Sequence, residues 1–262
     1  MTSARLTLRL APGRGWNWAA LSGAIALAVI AVALLPAPPL LSTLLRWLPH
    51  LAQGFAMNVL ISVLAVGLGT LGGIVLGGLE LSPFAAIRRP THWFVQTFRN
   101  APLLVMVYFS SYIFPFEISI QHHYVAFPDW LKATLGLALP ASAYVAEIVR
   151  GAVRSISTAQ WQSAKALGFR RIQTLRWVIL PQCVKRALPP WMNLYATITM
   201  GTTLASLVGV ADLLNAANNA SAAVHSTNFT IVVYLSILVW FFLYCYAISA
   251  VTKALERKYA FH

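Results

Sequence analysis

Of the 262 residues, 59% are apolar and only 10% are charged, against about 25% charged in an average soluble domain, which excludes an ordinary water-soluble fold. The 19 Lys and Arg outnumber the six Asp and Glu to give a formal net charge of +13. Those charges collect at the ends of long apolar runs, so the basic excess reads as membrane topology and argues against nucleic acid as a partner.

No charged residue occurs in the runs 15–45, 51–79, 187–211 or 213–252. A helix needs about 20 mostly apolar residues to cross a roughly 30 Å hydrocarbon core, so each run is long enough. Two shorter runs, 100–116 and 133–146, become spans if a flanking Arg or Lys snorkels to the interface. In chain order the expected transmembrane helices are 18–36, 52–79, 93–113, 130–149, 187–207 and 229–252, an all-α polytopic membrane protein with about six spans. The first hydrophobic stretch, behind Arg5, Arg9 and Arg14, could be a signal peptide, but its length favours an uncleaved anchor.

Basic residues set the expected orientation. With a cytoplasmic N-terminus, every Lys and Arg except Arg46 and Lys132 falls on the inner side, and both termini are cytoplasmic. Cys183 and Cys245 both lie near the reducing side and form no CxxC pair, so no disulfide is expected.

The second span carries a formal GxGxxG from Gly67 to Gly72, but inside an apolar helix and without a preceding strand it is no dinucleotide site. Gly69, Gly73 and Gly77, four residues apart, instead form a smooth stripe for a neighbouring helix. Pro102, Pro140 and the Pro189–Pro190 pair should bend their helices, either lining a pathway or simply being absorbed by neighbours.

The stretch from Arg150 to Arg186 is too polar to span and too patterned for a linker. It reads as helix, turn, helix. Apolar Trp161, Ala164, Ala166 and Leu167, then Ile172, Leu175, Val178 and Ile179, recur at helical spacing, with Gly168 as a C-cap and Pro181 closing the second segment. Such a hairpin, with Phe169 exposed beside its glycine, could enter a groove on a soluble partner or lie flat on the lipid surface.

Here the residues resemble a known family. Gln162-Ser163-Ala164-Lys165-Ala166-Leu167-Gly168, followed after nine residues by Val178-Ile179-Leu180-Pro181, resembles the EAA loop of binding-protein-dependent ABC importer permeases. That pattern is Glu-Ala-Ala, three residues, Gly, nine residues, Ile, any residue, Leu-Pro. Gln162, Ser163 and Val178 depart from it mildly, and the loss of Glu removes one charge from the expected ATPase contact. Three further stretches, 98–105, 143–151 and 202–210, resemble the subfamily that takes up polar amino acids such as histidine, glutamate, glutamine and opines.

The resemblance implies a five-helix type I ABC importer core over 51–258, with residues 1–50 as a cytoplasmic tail and an added transmembrane helix. It implies a permease subunit in the bacterial inner membrane that translocates amino acids. The implied partners are a second permease chain, identical or homologous, two cytoplasmic ABC ATPases and a periplasmic amino-acid-binding protein. No cofactor is expected in this chain. It lacks GxxxxGK[ST], so ATP and Mg belong to the partner ATPase. Residues 162–170, from Gln162 through Gly168 and Phe169 to Arg170, would couple to that ATPase.

Charges inside spans cost about 2.5–3.5 kcal/mol on insertion scales, which singles out Arg99, Glu147 and Arg150. Arg99, before Asn100 and Pro102, could meet a substrate carboxylate or snorkel to the inner interface. Glu147 and Arg150, at i and i+3, could pair with each other, or Glu147 could line the translocation pathway with Arg99 and Asn100. Asn58, Thr202, Thr203 and Ser206 could line a hydrophilic passage or bond between helices. Met200-Gly201 stands where subfamily members often carry a charged pair, which weakens any inference about substrate charge.

Adjacent His122-His123 lack chelating spacing, so no metal site is expected. Glu117 and Asp129, in a short outer loop, have no evident nucleophile and base beside them, so no catalytic residue is assigned. A membrane enzyme is therefore disfavoured. The remaining alternative is a secondary transporter or channel for small polar solutes working alone, although its inverted repeats are not evident.

Overall fold

A computed structural model describes residues 38–120 and 123–259. The expected first span, 18–36, lies outside them. The chain divides into two compact units, Met1–Arg46 and Trp47–His262. Of the first, the described residues are the opening turns of a helix.

The described chain is almost entirely helical. In order it contains α1 (Pro38–Glu80), α2 (Ala85–Asn100), α3 (Leu103–Ile113), strands β1 (Glu117–Ile120) and β2 (His123–Ala126), α4 (Asp129–Arg154) and α5 (Thr158–Ala166). There follow α6 (Arg171–Gln173), a π-helical turn (Thr174–Ile179), α7 (Leu180–Gly201), a 3₁₀ segment (Thr202–Val208), α8 (Leu213–Val224) and α9 (Thr227–Tyr259). The two strands form an antiparallel hairpin, Glu117 opposite Ala126, in the segment expected from sequence to be a short outer loop.

Among the described residues, α1 and α9 are long and apolar enough to cross a membrane alone, and the pair 171–208 with 213–224, bent by 51°, adds a third. The other expected spans differ in instructive ways. The segment 93–113 is two helices, because Ala101 and Pro102 adopt extended backbone, with ψ of 137° and 131°. Proline lacks an N–H and pushes the preceding residue out of the α region. α4 is less apolar because it is the central helix, packed by α2, α3 and α7 as well as α1. Its buried face is built from small residues, Ala133, Gly136, Ala138, Ala141, Ser142, Ala143 and Ala146, which let helix backbones approach where hydrophobicity alone gives no drive to associate.

The glycine stripe on α1 meets that face. A Cβ on Gly69 would lie 2.6 Å from Ala141 Cβ, one on Gly73 would strike Val145 and lie 2.6 Å from the Ser142 carbonyl, and one on Gly77 would lie 2.9 Å from Val149. Gly67 and Gly78, off the stripe, face open space. Around this seam Ile61, Ala65, Val107, Leu137, Val145 and Ile198 form the main buried cluster.

Pro181 does not close the second arm of the polar hairpin. The π-turn before it leads directly into α7, and Leu180 N–H donates to the Leu175 carbonyl, five residues back. That wider turn accommodates a proline, whose ring would otherwise crowd the carbonyl four residues earlier.

Candidate functional site

The hairpin between α4 and α7 has a buried root and an exposed tip. Ala152, Ile156, Ile179 and Cys183 form a small buried cluster, with Val153, Trp161 and Val178 packed on it. Arg186 Nη1 donates to the Ser155 carbonyl at 2.6 Å, tying the two arms. Of the apolar residues recurring at helical spacing, Trp161, Ala164, Val178 and Ile179 turn toward this root. The rest do not: Leu167 is 75% exposed, Ile172 78% and neighbouring Trp177 69%, with Leu175 and Phe169 partly open beside them.

Gly168 ends α5 with φ +80°, in the left-handed region. Its N–H donates to the Lys165 carbonyl at 3.0 Å, and Phe169 N–H donates to the Ala164 carbonyl at 3.1 Å, the paired bonds of a Schellman cap. A Cβ at Gly168 would meet nothing within 4 Å, so the glycine is required by backbone conformation and leaves an open surface above it. Arg170 N–H then donates to Gln173 Oε1 at 2.8 Å, starting the second arm. Gln162, Ser163, Lys165, Ala166 and Arg170 are exposed, whereas Ala164 is buried. The tip therefore presents aliphatic and aromatic groups among Lys165, Arg170, Arg171 and Arg176, with no acidic residue between Glu147 and Asp212.

Five of the polar residues singled out within the spans fall into two groups, built on Asn58 and Glu80 of α1, 22 residues or roughly 33 Å apart along a helix axis. Asn58 and Thr202 belong to the first. Both are fully buried, and Asn58 Nδ2 donates to Thr202 Oγ1 at 3.0 Å and to Asp212 Oδ2 at 3.1 Å. Asn58 Oδ1 accepts from Leu213 N–H at 2.9 Å, and Asp212 Oδ1 accepts from Asn215 N–H at 2.8 Å. Two otherwise orphaned N–H groups of the first turn of α8 are thus satisfied. Gly54, one turn before Asn58, makes room: a Cβ there would lie 2.6 Å from the Asp212 carbonyl oxygen. Thr203 and Ser206 are half-buried, and each hydroxyl donates to a carbonyl three residues back.

The second group is ionic and gathers where α1, α2 and α4 meet, at the hairpin end of α4. Glu147 pairs with Arg150 on its own helix and with Arg99 Nη1 at 3.4 Å. Glu80, almost fully buried, faces Arg150 Nε at 3.4 Å and His92 Nδ1 at 2.9 Å. Asn100 stands apart, exposed, its amide donating to the Gln96 carbonyl at 2.7 Å. Glu80, His92 and Asp212 are the members sequence reading passed over. Glu80 and Asp212 each terminate a charge-free run and so read as boundaries, although an Asp followed by helix-forming Leu-Leu-Asn-Ala-Ala is a recognisable N-cap.

The helices thus bring together a polar seam, a broken helix pair and an exposed hairpin. Comparison with known proteins identifies the family. The chain is 30% identical over 212 residues to the probable amino-acid ABC transporter permease protein YckA of Bacillus subtilis (strain 168), covering 81% of this chain and 90% of that one. It is also 30% identical over 220 residues to the glutamine transport system permease protein GlnP of Escherichia coli (strain K12), covering 80% and 93%. The fold superimposes on a solved amino acid ABC transporter chain, described as crystallised with histidines, with a TM-score of 0.71, 24% identity and coverage of 85% of this chain and 99% of that one. Residues 69–260 match the model of the binding-protein-dependent transport system inner membrane component. The chain, with its helical core and its hairpin between α4 and α7, is a member of that family of ABC importer permeases.

Proposed function

We propose that this chain is the membrane subunit of an importer for amino acids or closely related polar solutes, driven by ATP hydrolysed on a separate ABC ATPase. The observation that carries the reading is the hairpin: a rooted, glycine-capped α5 whose tip holds Leu167, Phe169, Ile172 and Trp177 in the open. Such a surface suits insertion into a groove on a soluble partner, with buried apolar anchors ringed by charge. Two permease chains, two ATPases and a periplasmic binding protein complete the assembly, and residues 162–170 transmit ATPase closure through the root to α4 and α7.

The amino-acid class follows from the relatives, among them proteins named for glutamine and for arginine transport. Arg99 offers less support for a substrate carboxylate than its sequence position suggested, since Glu147 already engages it. In this proposal Thr203, Ser206 and Asn100 border the passage. Asn58 with Thr202, and Arg99 with Glu147, tie the helices that form its walls. The hairpin and both termini are cytoplasmic, by the placement of basic residues, and residues 1–50 add an anchor to the 51–258 core.

The test is reconstitution of the chain with its cognate ATPase and binding protein into proteoliposomes. ATP-dependent accumulation of a radiolabelled amino acid is expected, and none from the chain alone under an ion gradient. Uptake by the lone chain would overturn the reading.

A further inference from the structure

Six acidic residues serve the whole chain: Glu80, Glu117, Asp129, Glu147, Asp212 and Glu256. Where α1, α2 and α4 meet, only Glu80 and Glu147 are present, and both are engaged by Arg99, Arg150 and His92. Beside this cluster lies a cavity of about 250 Å³ lined by Glu80, Arg88, Arg89, His92, Trp93, Arg150 and Arg154. Four guanidinium groups thus meet one carboxylate. Among the described residues Arg88, Arg89 and Arg154 have no acidic side chain in ion-pair reach; Arg88 donates only to the Ser82 carbonyl, at 3.3 Å.

One exposed aromatic ring, Trp93, lines the cavity, and further apolar groups lie nearby along the chain. Trp93 is 74% exposed, and Phe84 and Ile87, in the turn and first helical residues beside Arg88, are also exposed. An aromatic-rimmed basic cavity at the end of transmembrane helices is the chemistry that captures an anionic headgroup, with acyl chains running along the apolar rim. Its volume is below the roughly 300–1,000 Å³ of sites for drug-sized ligands, which suits a headgroup rather than a whole soluble cofactor. Guanidinium groups bind phosphate oxygens in pairs, with geometry that ammonium lacks.

We infer that this cavity is a phosphate-group site occupied by the headgroup of an anionic phospholipid, held chiefly by Arg88, Arg89 and Arg154. The neutralised pair Arg150–Glu80 forms its floor. The leaflet that supplies the lipid follows from the orientation proposed above, but the site itself does not depend on it.

The experiment takes the full chain, purified in mild detergent and equilibrated with equal amounts of phosphatidylglycerol and phosphatidylcholine, with retained lipid counted by native mass spectrometry. Wild type should retain phosphatidylglycerol in preference. In Arg89→Gln/Arg154→Gln that preference should fall about tenfold or more, as expected from losing two guanidinium contacts. Arg171→Gln/Arg176→Gln, which removes the same charge from the hairpin, should leave it intact, and Arg89→Lys/Arg154→Lys should retain part of it. Equal retention of the two lipids by wild type, or an equal loss in the hairpin variant, would overturn the site. That wild-type comparison stands even if the Gln variant fails to fold. Displacement of the lipid by excess inorganic phosphate, with matching protection of the delipidated chain against heat, would overturn the lipid assignment in favour of soluble phosphate. Because lipid from either leaflet scores here, an error in orientation would show only in labelling of Arg89→Cys from one side of sealed vesicles.

Discussion

At the tip of the hairpin Leu167, Ile172 and Trp177 stand in the open, whereas Asn58, Thr202 and Asp212 are completely enclosed between helices. A soluble domain distributes these residue types the other way. The inversion separates two tasks. Inside the bundle, lipid competes equally well for apolar side chains, so helices are held by close approach of small residues and by hydrogen bonds. At the tip, the apolar groups are exposed rather than packed into the core, and the ATPase contact proposed above would remove them from water.

The two regions should therefore respond oppositely to mutation. The largest stability effect is expected on the glycine seam. Gly73→Leu drives a side chain into Val145 and the Ser142 carbonyl, an overpacking that costs about 1–3 kcal/mol and also separates α1 from α4. A clear fall in the thermal unfolding midpoint in detergent checks this, with Gly78→Leu, in open space, as the unaffected companion. Next comes Asn58→Ala, which strips Leu213 N–H of its acceptor and removes a donor from Asp212. An unsatisfied buried group costs about 1–3 kcal/mol, and the loss should exceed that of Asn100→Ala, whose amide is exposed. Smallest is Leu167→Ser: at an exposed position stability should stay within about 0.5 kcal/mol, while ATP-dependent uptake in the reconstituted system falls. A Leu167→Ser protein that unfolded early, or an Asn58→Ala protein as stable as wild type, would break the contrast.

The same contrast explains what the sequence could tell. Gly168 with the Gln162–Gly168 run was legible because the motif is local: a cap, a short helix and their spacing lie within a few turns. The Gly69–Gly73–Gly77 stripe was legible for the same reason, as a period on one helix. The ties to Asp212 were not, because Asn58 and its partners are 144 to 155 residues apart in sequence, and a charge ending an apolar run looks like a boundary. α4 showed only as a weak span, since a helix surrounded by protein needs small residues rather than apolar ones. Pro181 misled because a single π-turn lets a helix continue through a proline that would otherwise end it.

The functional reading turns on the proposed docking of the ABC ATPase on the glycine-capped hairpin. It is tested most directly by co-expressing the tagged chain, as wild type and as Gly168→Arg, with its cognate ABC ATPase and comparing the amount recovered in mild detergent. Arg at a φ of +80° meets a left-handed penalty of about 1–2 kcal/mol and places a long charged group on the open tip. Stoichiometric ATPase is expected with wild type and little or none with Gly168→Arg, whose thermal midpoint should fall by no more than the few degrees this penalty implies. Equal recovery of ATPase by both would contradict it.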